Sequence, residues 1–137
     1  MKVALISCVK KKADKPCKAR ELYISPLFTK SLKYVEQVVK PDKIFILSAK
    51  YGLVPENKVI EPYEKTLNKM KKTERLEWAE NVLNQLQRVS DINKDTFYIM
   101  VGSKYAENIE GRLKHIENPM KGLSQGNRLK FLNEHIK

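Results

Sequence analysis

Three short apolar runs have the length and β-branched content of buried strands: Val3 to Val9, Lys43 to Leu47 with Ser48 at its end, and Thr96 to Val101. Between them the period changes. Ser25-Pro26 is an N-cap and first-turn pair, and Phe28, Leu32, Val35 and Val39 recur at helical spacing, so a helix is expected to run to about Val39. Pro41-Asp42 turns the chain into the second strand, and a long connection follows. Thr73 is then placed to cap a helix to Val89 with Leu76, Ala79, Val82, Leu83 and Leu86 on one face. After the third strand, Ser103 is placed to cap a helix carrying Tyr105, Ile109 and Leu113. A polar turn from Glu117 to Gly126 leads to a last helix built on Leu129, Leu132 and Ile136. Strand and helix alternate, which predicts an α/β fold: a three-layer α/β/α domain with a small parallel sheet and right-handed crossovers.

The chain's 137 residues suffice for one core and not for two, so residues 1–137 read as a single domain. No run approaches the ~18 apolar residues of a membrane span, and Lys10 to Lys12 cut the opening apolar segment short of a signal-peptide core. A cytoplasmic protein with no membrane partner is expected. Cys8 and Cys17 read as free thiols, and with His115 and His135 remote from them no metal site or cofactor is called for. The formal charge of +11 points to a polyanion, because each phosphate neutralised by Lys or Arg releases counterions. Lysine outnumbers arginine 22 to 5, which weakens that inference, since Arg has the forked donors best suited to phosphates and bases.

In open parallel sheets ligands bind beyond the carboxyl ends of the strands, so the loops there carry the candidate chemistry. The first holds Ser7, Cys8, Lys10, Lys11, Lys12, Asp14, Lys15, Pro16, Cys17, Lys18 and Arg20 and ends at Tyr23 and Ser25. It is longer than the usual ~2–6 residues and contains no glycine, so it is not a phosphate-cradling P-loop. It reads either as an anion site built from ammonium groups, Arg20 and the Ser25 helix start, or, for the lysine run, as solvated charge. Cys8, at a strand end, reads as a small core residue or a ligand contact. Cys17 lies among Lys15, Lys18 and Arg20, surroundings that favour a reactive thiolate.

The second loop, Ser48 to Leu53, carries Lys50, Tyr51 and Gly52. Tyr51 is suited either to stack on a base or to pack over the sheet edge, and Lys50 to meet a phosphate or a developing charge. Glu61-Pro62-Tyr63 holds a carboxylate and a ring on a stiff turn. Glu61 is a candidate general base or stabiliser of an oxocarbenium-like sugar, or a salt-bridge partner for a lysine. Gln125 and Arg128, at the start of the last helix, are placed to reach a ligand.

The segments LISCVKKK, PCKARELYISPLF, FILSAKYGLV, EPYEKTL and GLSQGNRLKFL resemble a small bacterial and phage family of unknown function over nearly the whole chain. More distantly, Pro16-Cys17 followed by Tyr23 and Ser25 is similar to the signature of the archaeosine synthase catalytic domain, which modifies a 7-deazaguanine base in tRNA. Glu21-Leu22 replaces that family's Lys-Pro, Ser25 is displaced by one position, and Phe28 stands where it has His. The resemblance implies a uracil-DNA-glycosylase-like or Rossmann-like α/β fold, and it transfers best to Cys17 and Tyr23.

Together these features predict an enzyme acting on a nucleobase in DNA or RNA, by N-glycosidic cleavage or base modification. In this reading Cys17, Lys50 and Glu61 do the chemistry. Ser7, Cys8, Lys10, Arg20, Tyr23, Ser25, Ser48, Tyr51, Gly52, Tyr63, Gln125 and Arg128 hold the substrate. The alternative is a non-catalytic module binding a nucleotide or nucleic acid through the same loops. A nucleotide hydrolase fits less well, lacking a glycine-rich phosphate loop and clustered carboxylates for magnesium.

Overall fold

A computed structural model describes residues 1–100 and 102–137. Its centre is a five-stranded sheet built from β1 (Lys2–Ser7), β3 (Lys43–Ser48), β4 (Gly52–Pro55), β6 (Thr96–Met100) and β7 (His115–Glu117), in the order β4-β3-β1-β6-β7. The three apolar runs form its middle as parallel neighbours, with Ser7 opposite Leu47 and Ile6 opposite Met100. Val101, which the third run takes in, lies outside the described residues. Val3, Ala4, Leu5 and Ile6 are all buried, so both faces of β1 are covered, and each large side chain there contributes about 1.5–3 kcal/mol.

Helices cover the two faces. Helix α2 (Pro26–Tyr34) begins at Ser25, whose hydroxyl accepts the Phe28 amide at 3.4 Å, with Pro26 in the first turn as the sequence predicts. It passes into a π-helical turn (Val35–Val39) that closes at Lys40, held at φ 52°, so the helical segment does end at Val39. Helix α3 (Lys72–Val89) returns the chain from β3 to β6. Since β1 to β3 runs one way across the sheet and β3 to β6 the other, right-handed crossovers place α2 and α3 on opposite faces. Helix α5 (Gln125–His135) packs on α2.

Several details differ from the sequence expectation. The cap of helix α3 lies two residues earlier than Thr73, at Lys71, whose amide donates to the Glu74 carboxylate, and Thr73 falls inside the first turn. Its Leu76 is 42% exposed; the apolar face is completed by Trp78, whose Nε1 donates to the Ser48 carbonyl at 2.9 Å. The helix expected from Ser103 to Leu113 is only α4 (Ser103–Ala106), capped by Gly102, followed by a 3-10 turn (Glu110–Arg112) and then β7. Gly111 falls within that segment, and glycine costs about 1 kcal/mol in a helix relative to alanine.

Nor is the sheet wholly parallel. A three-residue turn, Ala49 to Tyr51, folds β4 back antiparallel on β3, with Ser48 opposite Gly52. Outside the main sheet, β2 (Cys17–Lys18) pairs antiparallel with β5 (Val59–Ile60), flanked by the short helix α1 (Ala19–Leu22). No helix among the described residues is long and apolar enough to cross a membrane.

Candidate functional site

The order β3-β1-β6 has a topological switch between β1 and β6, since the chain leaves β1 toward β3 on one side and leaves β6 toward β7 on the other. Ligands of open α/β sheets bind beyond the strand ends at such a point. A cleft of about 1150 Å³ opens there. Its floor is Ser7 and Cys8 at the end of β1, Met100 and Gly102 beside β6, and Tyr105 on α4. The first turn of α2 supplies Leu27 and Phe28, and the start of α5 supplies Gln125 and Arg128. The remaining wall, Tyr63 to Met70, comes from the long connection after β5.

Charge around this cleft is strongly biased. Six cations line it among the described residues (Lys10, Lys12, Lys65, Lys69, Lys104 and Arg128) against two carboxylates, Glu64 and Glu74. Low-dielectric walls of one dominant sign focus the field and concentrate anions. Arg128 is held by its Nε on the Leu123 carbonyl at 3.1 Å.

On the floor, Cys8 Sγ lies 3.2 Å from the Tyr105 hydroxyl. Burial, and after it the Cys8 sulfur, pushes the Tyr105 phenol well above the ordinary tyrosine value, so it stays protonated and can donate. Lys12 enters from the side. Its Nζ stands 4.5 Å from the centre of the Tyr63 ring and 5.8 Å from that of Tyr23, and donates to the Lys10 carbonyl at 3.2 Å. Burial lowers its pKa below the usual lysine value, with Cys8 and Glu64 pulling the other way. The backbone fixes this lysine: Lys12 bridges to Tyr23, Ala13 N donates to Leu22 O at 2.8 Å, and Ile24 N donates to Lys11 O at 3.1 Å.

Behind the wall three hydroxyls are joined. Ser48 Oγ donates to the Tyr63 hydroxyl at 2.7 Å, and the Tyr63 and Tyr23 hydroxyls are 2.7 Å apart. Ser48 Oγ also accepts the amides of Lys50 (3.2 Å) and Tyr51 (3.0 Å), tying the hairpin turn to the cleft wall. Burial raises the pKa of both phenols, that of Tyr23 to about 12.

Of the residues singled out in the sequence, Ser7, Cys8, Lys10, Tyr63, Gln125 and Arg128 line the cleft. Ser25 caps α2 beside it. Ser48 and Tyr23 lie one layer behind, and Tyr23, only 1% exposed, offers no ring face to a ligand. Gly52 is a turn residue at φ 75°, backed by Gln85, whose Oε1 accepts the Leu53 amide at 2.8 Å. Arg20 is outside the cleft, paired with Glu56 and, at 3.0 Å, with Glu36. Cys17 is also outside, opposite Ile60 in β2. Its neighbours do not favour the thiolate: burial and then Glu21 push the thiol up, against a smaller pull from Lys15.

Lys50, Tyr51 and Glu61 belong elsewhere. Lys50 Nζ is 5.2 Å from the centre of the Tyr51 ring, and Tyr51 and Glu61 share a shallower depression next to the cleft. The charged and polar cleft residues missed in the sequence include Glu64, Lys65, Thr66, Asn68, Lys69, Glu74, Lys104 and Tyr105, together with Lys12 as distinct from its lysine neighbours. Among the described residues no group of three or more His, Cys, Asp or Glu side chains could hold a metal ion.

Fold and site together define an α/β protein with a cationic cleft at the switch point of its five-stranded sheet. The chain belongs to a family of unknown function, DUF6884, which it matches over residues 3–134. No curated protein matches it.

Proposed function

We propose that this chain is an enzyme acting on a nucleobase in DNA or RNA, by N-glycosidic cleavage or base modification. One observation carries the reading: the cleft at the sheet's switch point combines six lining cations with the buried Cys8–Tyr105 pair. The cations suit the phosphates of a strand, and the Tyr105 hydroxyl suits one base turned out of its stack. At about 1150 Å³ the cleft has room for a nucleotide.

Within this reading the Tyr105 hydroxyl donates to a base carbonyl or ring nitrogen. Lys12, partly desolvated and anchored by its backbone, meets the charge that develops on the base or its phosphate. Of the two carboxylates in the cleft lining, Glu74 already accepts the Lys71 amide, which leaves Glu64 as the candidate to face a sugar; Glu61 lies outside the cleft. The similarity of Pro16-Cys17 and Tyr23 to the archaeosine synthase signature points to the same substrate class. In this chain, though, only Tyr23 backs the cleft wall, through its hydroxyl on Tyr63, while Cys17 lies outside the cleft opposite Ile60 and Pro16 lines the neighbouring depression.

Two observations favour the alternative, a non-catalytic nucleic-acid-binding module: no histidine lines the cleft among the described residues, and burial keeps the phenol beside Cys8 protonated. Incubation with DNA and RNA oligonucleotides carrying normal and modified bases separates the two. Alkali treatment reveals abasic sites, and mass spectrometry detects released or altered bases. Enzyme activity produces one or the other and is lost in Lys12→Ala. Tight binding with every base unchanged means a module.

A further inference from the structure

Beside the cleft lies a depression of about 380 Å³ lined by Pro16, Tyr51, Lys58, Val59, Ile60 and Glu61. Four features mark it as built for a ring-bearing ligand. Its lining includes the apolar Pro16, Val59 and Ile60, and Val59 is 62% exposed, the largest value among the exposed large hydrophobics of the described residues. Lys58 stands in its lining, and Lys50, on the preceding turn, places its Nζ 5.2 Å from the centre of the Tyr51 ring. Glu61 forms no ion pair or side-chain hydrogen bond among the described residues, although the chain carries 27 Lys and Arg. Finally, Tyr51 meets Tyr63 edge to face with ring centres 5.5 Å apart, and Tyr63 is a wall of the cleft.

The depression is also rigidly framed. Val59 and Ile60 are paired with Lys18 and Cys17, and Ser48 Oγ holds the Tyr51 amide.

We propose that this depression is a second nucleotide subsite, taking the base that flanks the target on the same strand, so that the ligand is an unpaired DNA or RNA strand rather than a mononucleotide. The inference rests on the cleft being the site of the target nucleotide. Every base has a π-face, so Tyr51 supplies affinity without regard to sequence. Lys50 and Lys58 meet the phosphates on either side, and the Glu61 carboxylate accepts from the exocyclic amino group of the flanking base. Lys50, Tyr51 and Glu61, which read in the sequence as chemistry-bearing, thereby become the residues that track the strand. A base paired in a duplex cannot lie flat on Tyr51, which selects single strands.

The test is fluorescence anisotropy with a short labelled single strand, plus calorimetry with mononucleotides, on the wild type, Tyr51→Ala, Tyr51→Phe and Lys104→Ala. Tyr51→Ala is expected to weaken strand binding about tenfold and to leave mononucleotide binding unchanged. Tyr51→Phe, which keeps the ring, retains wild-type strand affinity, and this guards against a mere folding defect. Lys104→Ala, in the cleft, weakens both ligands. Unchanged strand affinity in Tyr51→Ala overturns the subsite while leaving the cleft reading intact. If the wild type binds neither ligand, the cleft reading fails and the subsite with it.

Discussion

The Ser48 hydroxyl and the Tyr63 hydroxyl lie 2.7 Å apart, joining the end of β3 to a residue of the long connection that walls the cleft. Ser48 is fully buried and also accepts two backbone amides, so its hydroxyl serves the turn and the wall at once. Ser48→Ala leaves two amides and a buried phenol without that partner and is expected to cost about 1–3 kcal/mol. Urea unfolding measures the loss, and a double-mutant cycle with Tyr63→Phe returns a coupling energy clear of zero.

Gly52 at φ 75° lies against Gln85, and a Cβ there would collide with Gln85 Oε1. Gly52→Ala is expected to destabilise by at least about 1–2 kcal/mol from the left-handed backbone alone. Gln85→Ala removes the collision but orphans the Leu53 amide. The double variant is therefore less destabilised than the sum of the singles, a deficit that equilibrium unfolding detects.

Arg20 bridges Glu36, on the π-helical turn, and Glu56, after β4. Arg20→Ala is expected to lower stability by roughly 1 kcal/mol, and Arg20→Lys not to restore it, since an ammonium cannot span two carboxylates as the guanidinium fork does. A drop in anion affinity with no change in unfolding midpoint would instead identify Arg20 as a ligand contact.

Alkali should unfold this protein through its buried phenols. Burial raises Tyr23 from 10.0 to about 12, and Tyr63 and Tyr105 are raised as well. In the unfolded chain these groups lose protons from pH 10 upward, while the folded chain still holds them. Stability is therefore complete below pH 10 and falls as pH climbs toward 12. Tyr23→Phe makes that fall shallower, as seen in unfolding midpoints measured across the alkaline range.

If the cleft holds phosphates, its affinity for a single strand must fall with salt. Lys104→Ala is expected to flatten the slope of log K against log salt by about 0.7, the value of one phosphate contact on a single strand. An unaltered slope would place the phosphates elsewhere. A titration at several salt concentrations decides this.

The central strands and the first long helix were legible because their information is local. Val3 to Ile6 form an unbroken apolar run, and Phe28, Leu32, Val35 and Val39 keep one period through the π-helical turn. The strands β2, β4, β5 and β7 were not, since each has only two to four residues and owes its conformation to a partner distant in sequence or to a turn. The site was half legible for the same reason. Cys8 and Tyr63 sit in recognisable segments, whereas nothing in the run Lys10-Lys11-Lys12 distinguishes its last member. Its bridge to Tyr23 and its place over two rings set Lys12 apart, and both are tertiary facts. Tyr105 was legible as a helix residue but not as the partner of a thiol 97 positions earlier.

The segment between β5 and α3 has no regular structure beyond one 3-10 turn, yet it is fastened at intervals. Ile60 is paired in β5, Tyr63 is held by hydroxyls, Leu67 is fully buried, and the Met70 carbonyl is taken by Arg75 at 2.6 Å. A loop of this length would ordinarily have to be ordered by its ligand, at a cost of about 0.5–1.5 kcal/mol for each side chain immobilised. Here folding has already met that cost. A ligand should enter a cleft with one wall set in advance, so complex formation is expected to proceed in a single kinetic phase, with no slow closing step after encounter.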